Sequence, residues 1–230
     1  GLSKKWSISN DGILYSFNLK KNVYFTNGDK LVCEDVKNSF ERILNPKVKS
    51  HRNWLFKNVK GAQDFQNNKS TSVEGFSCVN DSIFTIKLNH IFSPFISFLA
   101  MPSASIVKVD SSKNIVGTGP WVLNEWIPDG YLTFSRNDNY FDEIAVEKKL
   151  KIRILPEALP RSAEFITEYL DIMEIPDSEF MLWNNDEEWV SQIQYQNDLN
   201  VFYIGLNCSR PPFDNVLVRQ AVNYAIDKDL

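Results

Sequence analysis

Cysteine, histidine and methionine are scarce in this 230-residue chain, at three, two and three residues. The cysteines, Cys33, Cys78 and Cys208, are far apart and odd in number. No close C-x-x-C pair points to zinc and no dense, even set points to a disulfide framework, so all three read as buried or half-buried free thiols. His51 and His90 have no histidine one helical turn away, so metal ligation by the protein alone is not expected. There is no run of 18 or more apolar residues, which excludes a membrane-spanning helix within this sequence. Positive charge is not in excess either. Lys and Arg number 25 against 29 Asp and Glu, a net −4, without the basic footprint that nucleic acid requires. The G-x-S-x-G, P-loop, G-x-G-x-x-G and H-E-x-x-H patterns are all missing. No catalytic constellation and no cofactor site is legible, so an enzyme is not expected.

What is present is apolar and aromatic: 43% hydrophobic residues, 13% aromatic, enough for one large core or two small ones. Trp6–Leu19 reads as a hairpin, two alternating runs around the turn residues Asn10-Asp11-Gly12. A third short strand is expected at Val23–Phe25. Glu34–Leu44 reads as a helix, with Val36, Phe40, Ile43 and Leu44 on one face, acidic residues at its start and Asn45-Pro46 at its end. Trp54–Phe65 suggests a shorter helical or mixed segment, Ile83–Leu88 a strand, and Ser93–Met101 a helix entered at Ser93-Pro94.

Further on, Tyr131–Arg136 and Lys149–Leu155 alternate as strands, and Arg161–Tyr169 reads as a short helix. Asp177–Trp189 is acidic and aromatic, with Trp183 and Trp189 expected on a helix. The last stretch is an extended run, Val201–Leu206, a turn at Pro211-Pro212, and a helix over Asp214–Ile226 capped by Asp214, with Val218, Ala221, Val222, Ala225 and Ile226 as its apolar stripe. Trp121, Trp126, Phe134 and Tyr140 read as core. With no regular βαβ repeat, these elements predict an α/β fold with antiparallel or mixed strands, in two subdomains meeting near residues 104–116.

The run Asn207-Cys-Ser-Arg-Pro-Pro-Phe-Asp-Asn-Val-Leu-Val-Arg-Gln-Ala-Val-Asn-Tyr-Ala-Ile-Asp-Lys228 resembles the signature of the peptide- and nickel-type solute-binding proteins of ABC importers, extracellular family five. The earlier sequence is similar to that family in the family's own order. Trp6, Asp11-Gly12, Tyr15, Phe17 and Leu19 match its opening hairpin, and Glu34-Asp35-Val36, Ser39 and Arg42 match its first helix. Gly117-Thr-Gly-Pro-Trp121, Arg136-Asn137 and Leu170-Asp171-Ile172 follow. There are two departures: Val32 stands where the family places a capping Thr, and Glu168 where a Gly closes a helix. The first predicts another capping group or a frayed start; the second predicts a different turn.

The resemblance implies a truncated lobe of a periplasmic-binding-protein-like fold, type II, of the dipeptide/oligopeptide-receptor class. Residues 1–106 would be the peripheral domain of the first lobe, 107–203 part of its core domain, and 204–230 a crossover strand and first helix of a second lobe. It also implies a substrate-binding component of an ABC importer, working with permease subunits outside the cytoplasmic membrane on a peptide or similar small solute. The export signal would lie outside this sequence, and the last helix would have its packing partner in the second lobe. A solute-sensing domain of a regulator on the same fold is the alternative.

Site residues follow partly from chemistry. In Ser50-His51-Arg52-Asn53-Trp54 a cation beside an indole suits a carboxylate or aromatic ligand group, against the simpler role of anchoring a helix. The same segment resembles the place where the family's peripheral domain reaches its ligand. Of Phe202 and Tyr203 on the expected hinge strand, alternation turns one toward a cleft, and the hydroxyl favours Tyr203. The candidate binding residues are therefore His51, Arg52, Trp54 and Tyr203. Gly117, Thr118 and Gly119 would form a cleft rim or a plain turn.

Overall fold

The computed structural model describes residues 1–109, 114–196 and 203–227. The chain divides into two compact units, Gly1–Pro156 and Glu157–Leu230. Residues 104–116 thus fall inside the first unit.

The expected hairpin opens the first unit. β1 (Ser3–Ile8) and β2 (Leu14–Leu19) pair antiparallel, with Trp6 opposite Phe17 and Ile8 opposite Tyr15. The segment after β2 forms no third strand. Only Tyr24 and Lys30 bridge, because the turn at Asn27-Gly28 folds the chain back at once. Next come α1 (Cys33–Leu44), a short 3-10 turn (Asn53–Phe56), α2 (Ala62–Gln66), β3 (Phe76–Asn80) and β4 (Ile83–Lys87). The sheet order is β1-β2-β4-β3, antiparallel throughout. α1 lays Val36, Phe40, Ile43 and Leu44 on it, all buried. Phe40 is the hub, with ring centroids 4.6 Å from Phe56 and 5.7 Å from both Phe76 and Phe84. Full burial stabilises such side chains by about 1.5–3 kcal/mol each, so this aromatic cluster dominates the local energetics.

The missing cap of α1 is replaced from within. Asp35, in the first turn, accepts the Val32 N–H at 2.9 Å, and the Asp81 carbonyl takes the Cys33 N–H at 3.1 Å. The free-thiol reading of all three cysteines is wrong. Cys33, opening α1, is bonded to Cys78 on β3, with Cα atoms 5.8 Å apart. Sequence separation hid a pair that the packing of α1 against β3 brings together. Cys208 is exposed and free.

After α3 (Phe95–Phe98), much shorter than the expected Ser93–Met101 helix, β5 (Val107–Val109) pairs with β6 (Ile115–Gly117). β7 (Trp121–Ile127), β8 (Tyr131–Arg136) and β9 (Lys149–Arg153) form an antiparallel sheet. Its aromatics are not core. Trp126 is 63% exposed and Trp121, Phe134 and Tyr140 are only half-buried. A sheet buries its residues only where a second layer covers it, and here β9 is exposed along its length.

The second unit holds α4 (Ala158–Ile166), α5 (Phe180–Asn184) and α6 (Val216–Ala225). α4 starts before the expected Arg161, and Trp189 precedes a 3-10 turn rather than sharing a helix with Trp183. Trp183, Phe165 and Trp189 meet edge to face at 5.4–5.8 Å and form a small aromatic core. The turn after α4 does not differ as expected. Glu168 itself adopts the left-handed conformation, φ 62°, and the Tyr169 N–H reaches the Glu164 carbonyl at 2.9 Å. α6 is capped by Asn215, not Asp214: the Asn215 side-chain Oδ1 accepts the Leu217 N–H at 2.9 Å. No residue of α6 is buried. Of the expected Val201–Leu206 strand, residues 201 and 202 lie outside the described residues, and 203–206 pair with no strand.

Candidate functional site

The turn after α1 is built from its neighbours. Ser50 Oγ accepts the Arg52 N–H at 3.2 Å, and the Arg52 carbonyl accepts the Leu55 N–H at 3.1 Å. Leu55 and Phe56 are fully buried, so they anchor the 3-10 turn to the core. The same anchoring leaves His51, Arg52 and Trp54 exposed on one short segment. Trp54 is 41% exposed and meets Phe98 of α3 edge to face at 5.2 Å; Phe98 in turn meets Phe92 at 5.4 Å.

This row of rings walls a cleft of about 420 Å³, whose polar lining is Lys57, Asn58, Asn89 and His90. Asn58 Nδ2 donates to the His90 carbonyl at 2.9 Å, and the Asn89 N–H donates to the Asn58 carbonyl at 2.8 Å. The segment carrying His90 is thereby held against the 3-10 turn. Of the predicted residues, only Trp54 lines this cleft. Lys57, Asn58, His90 and Phe98 escaped the sequence reading. Only the rarity of histidine singled out His90, and nothing in the sequence tied it to Trp54, 36 positions away.

Tyr203 is the remaining predicted residue. It belongs to the second unit, in an irregular segment, and is 84% exposed. The structure groups His51, Arg52 and Trp54 on one segment of the first unit, whereas Tyr203 belongs to the second. Phe202 lies outside the described residues.

A larger cavity of about 610 Å³ in the first unit is lined by Phe17, Leu19, Phe40, Tyr140 and Phe141, and by Gly117–Gly119. Neither Gly117 nor Gly119 has a positive φ, and a Cβ at either would meet nothing within 4 Å. Their place on the cavity wall is thus not a steric demand for glycine. Among the described residues no group of three or more His, Cys, Asp or Glu side chains could hold a metal, and no helix is long and apolar enough to cross a membrane.

Comparison with known proteins gives a consistent picture. The profile of the bacterial extracellular solute-binding proteins, family 5, matches residues 1–230. Heme-binding protein A of Haemophilus influenzae is 31% identical over 99% of this chain and 44% of its own length. The dipeptide-binding protein of Escherichia coli is 26% identical over 100% of this chain and 46% of its own. The crystal structure of Haemophilus influenzae OppA in complex with RPPGFSPFR superposes with a TM-score of 0.81 at 22% identity, covering 99% of this chain and 47% of that one. NikZ from Campylobacter jejuni in complex with Ni(L-His) gives 0.76 at 25% identity, covering 100% and 45%. The chain spans less than half the length of these relatives, and its fold is that of the periplasmic oligopeptide-binding proteins.

Proposed function

The chain belongs to the bacterial extracellular solute-binding proteins of family 5, and we propose that it supplies most of one lobe of the substrate-binding component of an ABC importer. Residues 1–106 act as the peripheral domain of the first lobe, 107–203 as part of its core domain, and 204–230 open the second lobe. The observation that carries this reading is the match of the whole chain, in sequence and in fold, to receptors for peptides and metal chelates.

The captured solute is a peptide or similar small molecule, and an ABC permease receives it. Binding is two-lobed recognition rather than catalysis. Closing a second wall over the ligand buries the surface that offsets its lost translational and rotational freedom. On the first lobe, Arg52 and His51 meet an anionic or polar group, Trp54 stacks on an apolar one, and Tyr203 contributes from the crossover segment. The receptor works outside the cytoplasmic membrane. The Cys33–Cys78 bridge supports that location, because disulfides persist in oxidising compartments.

The test is titration calorimetry on the full-length receptor with short peptides, a nickel–histidine chelate and heme. At least one is expected to bind below the micromolar range, and the Arg52→Ala/Trp54→Ala double variant to weaken it at least tenfold without lowering the melting temperature. Submicromolar binding of the same ligand by the 230-residue chain alone would place the whole site inside it and end the two-lobe reading.

A further inference from the structure

The cleft beside Trp54 has a chemical character of its own. Its apolar wall is three rings in a row, Trp54, Phe98 and Phe92, joined by edge-to-face contacts of 5.2 and 5.4 Å. Aromatic faces in such rows favour another ring over an aliphatic group of equal size. Its charged lining is of one sign. Lys57 is there and no Asp or Glu is, although the chain as a whole carries a net charge of −4. His90 adds a ring N–H donor, and its segment is fixed by the hydrogen bond from Asn58 Nδ2 to its carbonyl.

We propose that this cleft binds an aromatic carboxylate, with its ring against Trp54 and Phe98 and its carboxylate on Lys57 and the His90 N–H. An ammonium in place of the carboxylate would face Lys57 with like charge. An aliphatic acid would find the charge but not the ring partners. All the lining residues lie within the first compact unit. The site therefore needs no second lobe, although it shares Trp54 with the solute site proposed above.

The probes are indole-3-acetate, tryptamine, cyclohexylacetate and acetate, titrated into the 230-residue chain and followed by the amide and imidazole resonances of residues 54–58 and 89–92. Indole-3-acetate is expected to shift these signals saturably in the low-millimolar range or tighter. Tryptamine and cyclohexylacetate should bind at least fivefold more weakly, and acetate should leave no saturable shift. Lys57→Met, at an exposed position, should weaken indole-3-acetate at least threefold, and Trp54→Ala should abolish the shifts while the rest of the spectrum keeps its dispersion. Equal binding of tryptamine, equal binding of cyclohexylacetate, or shifts centred outside these residues would overturn the proposal. Such a result leaves the two-lobe function standing, because that is tested on the full-length receptor with different ligands.

Discussion

The hydroxyl of Ser39 and the backbone of Val107 form a two-way bond: Ser39 Oγ donates to the Val107 carbonyl at 2.7 Å and accepts the Val107 N–H at 3.0 Å. Ser39 is 2% exposed and Val107 is half-buried, so the pair is largely shielded from water. One side chain on α1 thus holds β5 to the first sheet domain across 68 residues of sequence.

Ser39→Ala removes the donor and acceptor together and leaves a backbone N–H and a carbonyl unmet. A buried polar group stripped of its partner costs about 1–3 kcal/mol. Urea unfolding is expected to give a free energy lower by that amount, read as a lower midpoint with the m-value unchanged. An unaltered midpoint would show that water takes over both groups.

The Cys33–Cys78 bridge closes a loop of 45 residues. In the chain-entropy description a loop of that length is stabilised by about 4 kcal/mol. Reduction by dithiothreitol, or Cys33→Ser with Cys78→Ser, should lower the stability of the first unit by about 2–4 kcal/mol in urea. Cys208→Ser should change nothing measurable, since Cys208 is exposed and unbridged.

Glu168 occupies a left-handed position, which costs a non-glycine residue about 1–2 kcal/mol. Glycine removes that cost but gives back about 0.4–1 kcal/mol through a freer unfolded chain. Glu168→Gly is expected to slow hydrogen exchange at Glu168 and Tyr169, whose N–H groups close the end of α4. Glu168→Val, β-branched at the same φ, should speed it.

Asp29 and Lys108 meet at 2.8 Å. The hydrogen bond from Lys108, aided by Asn27, holds the Asp29 carboxyl below its ordinary value of 3.8. A carboxylate with a depressed native pKa stabilises the fold above its unfolded pKa, and that contribution disappears as pH falls through the lower, native value. Lys108 is shifted upward, chiefly by the bond to Asp29, so its own contribution is present below its unfolded pKa near 10.5 and is lost at still higher pH. Asp29→Asn should therefore flatten the acid limb of a stability–pH curve below about pH 4. The effect should be small and should shrink in salt, because both groups are solvent-accessible.

Much of the first domain was legible from local pattern. The hairpin Trp6–Leu19 alternates with period two, and α1 carries its apolar residues at helical spacing, so backbone geometry alone fixes both elements. The end of α4 was misread because a glutamate there was taken to forbid a left-handed turn. In fact the hydrogen bonds of the helix end hold Glu168 in that conformation. The candidate site was legible only as a segment. His51, Arg52, Trp54 and Lys57 are neighbours in sequence, whereas His90 and Phe98 join Trp54 only through packing.

Alternation, helical spacing and turn chemistry are properties of a few consecutive residues, so the sequence by itself determined the opening hairpin, β4, β8, β9, α1 and the exposed cation–indole turn. Its ordered motifs also determined the family. Only the tertiary structure decided that Cys33 meets Cys78, that Ser39 bonds Val107, that the aromatics of β7 and β8 stay half-exposed, and that three rings and Lys57 share one cleft. Each of these depends on contacts across tens of residues. Such contacts are set by which layer covers which face, a many-body outcome of burial that no local window of sequence contains.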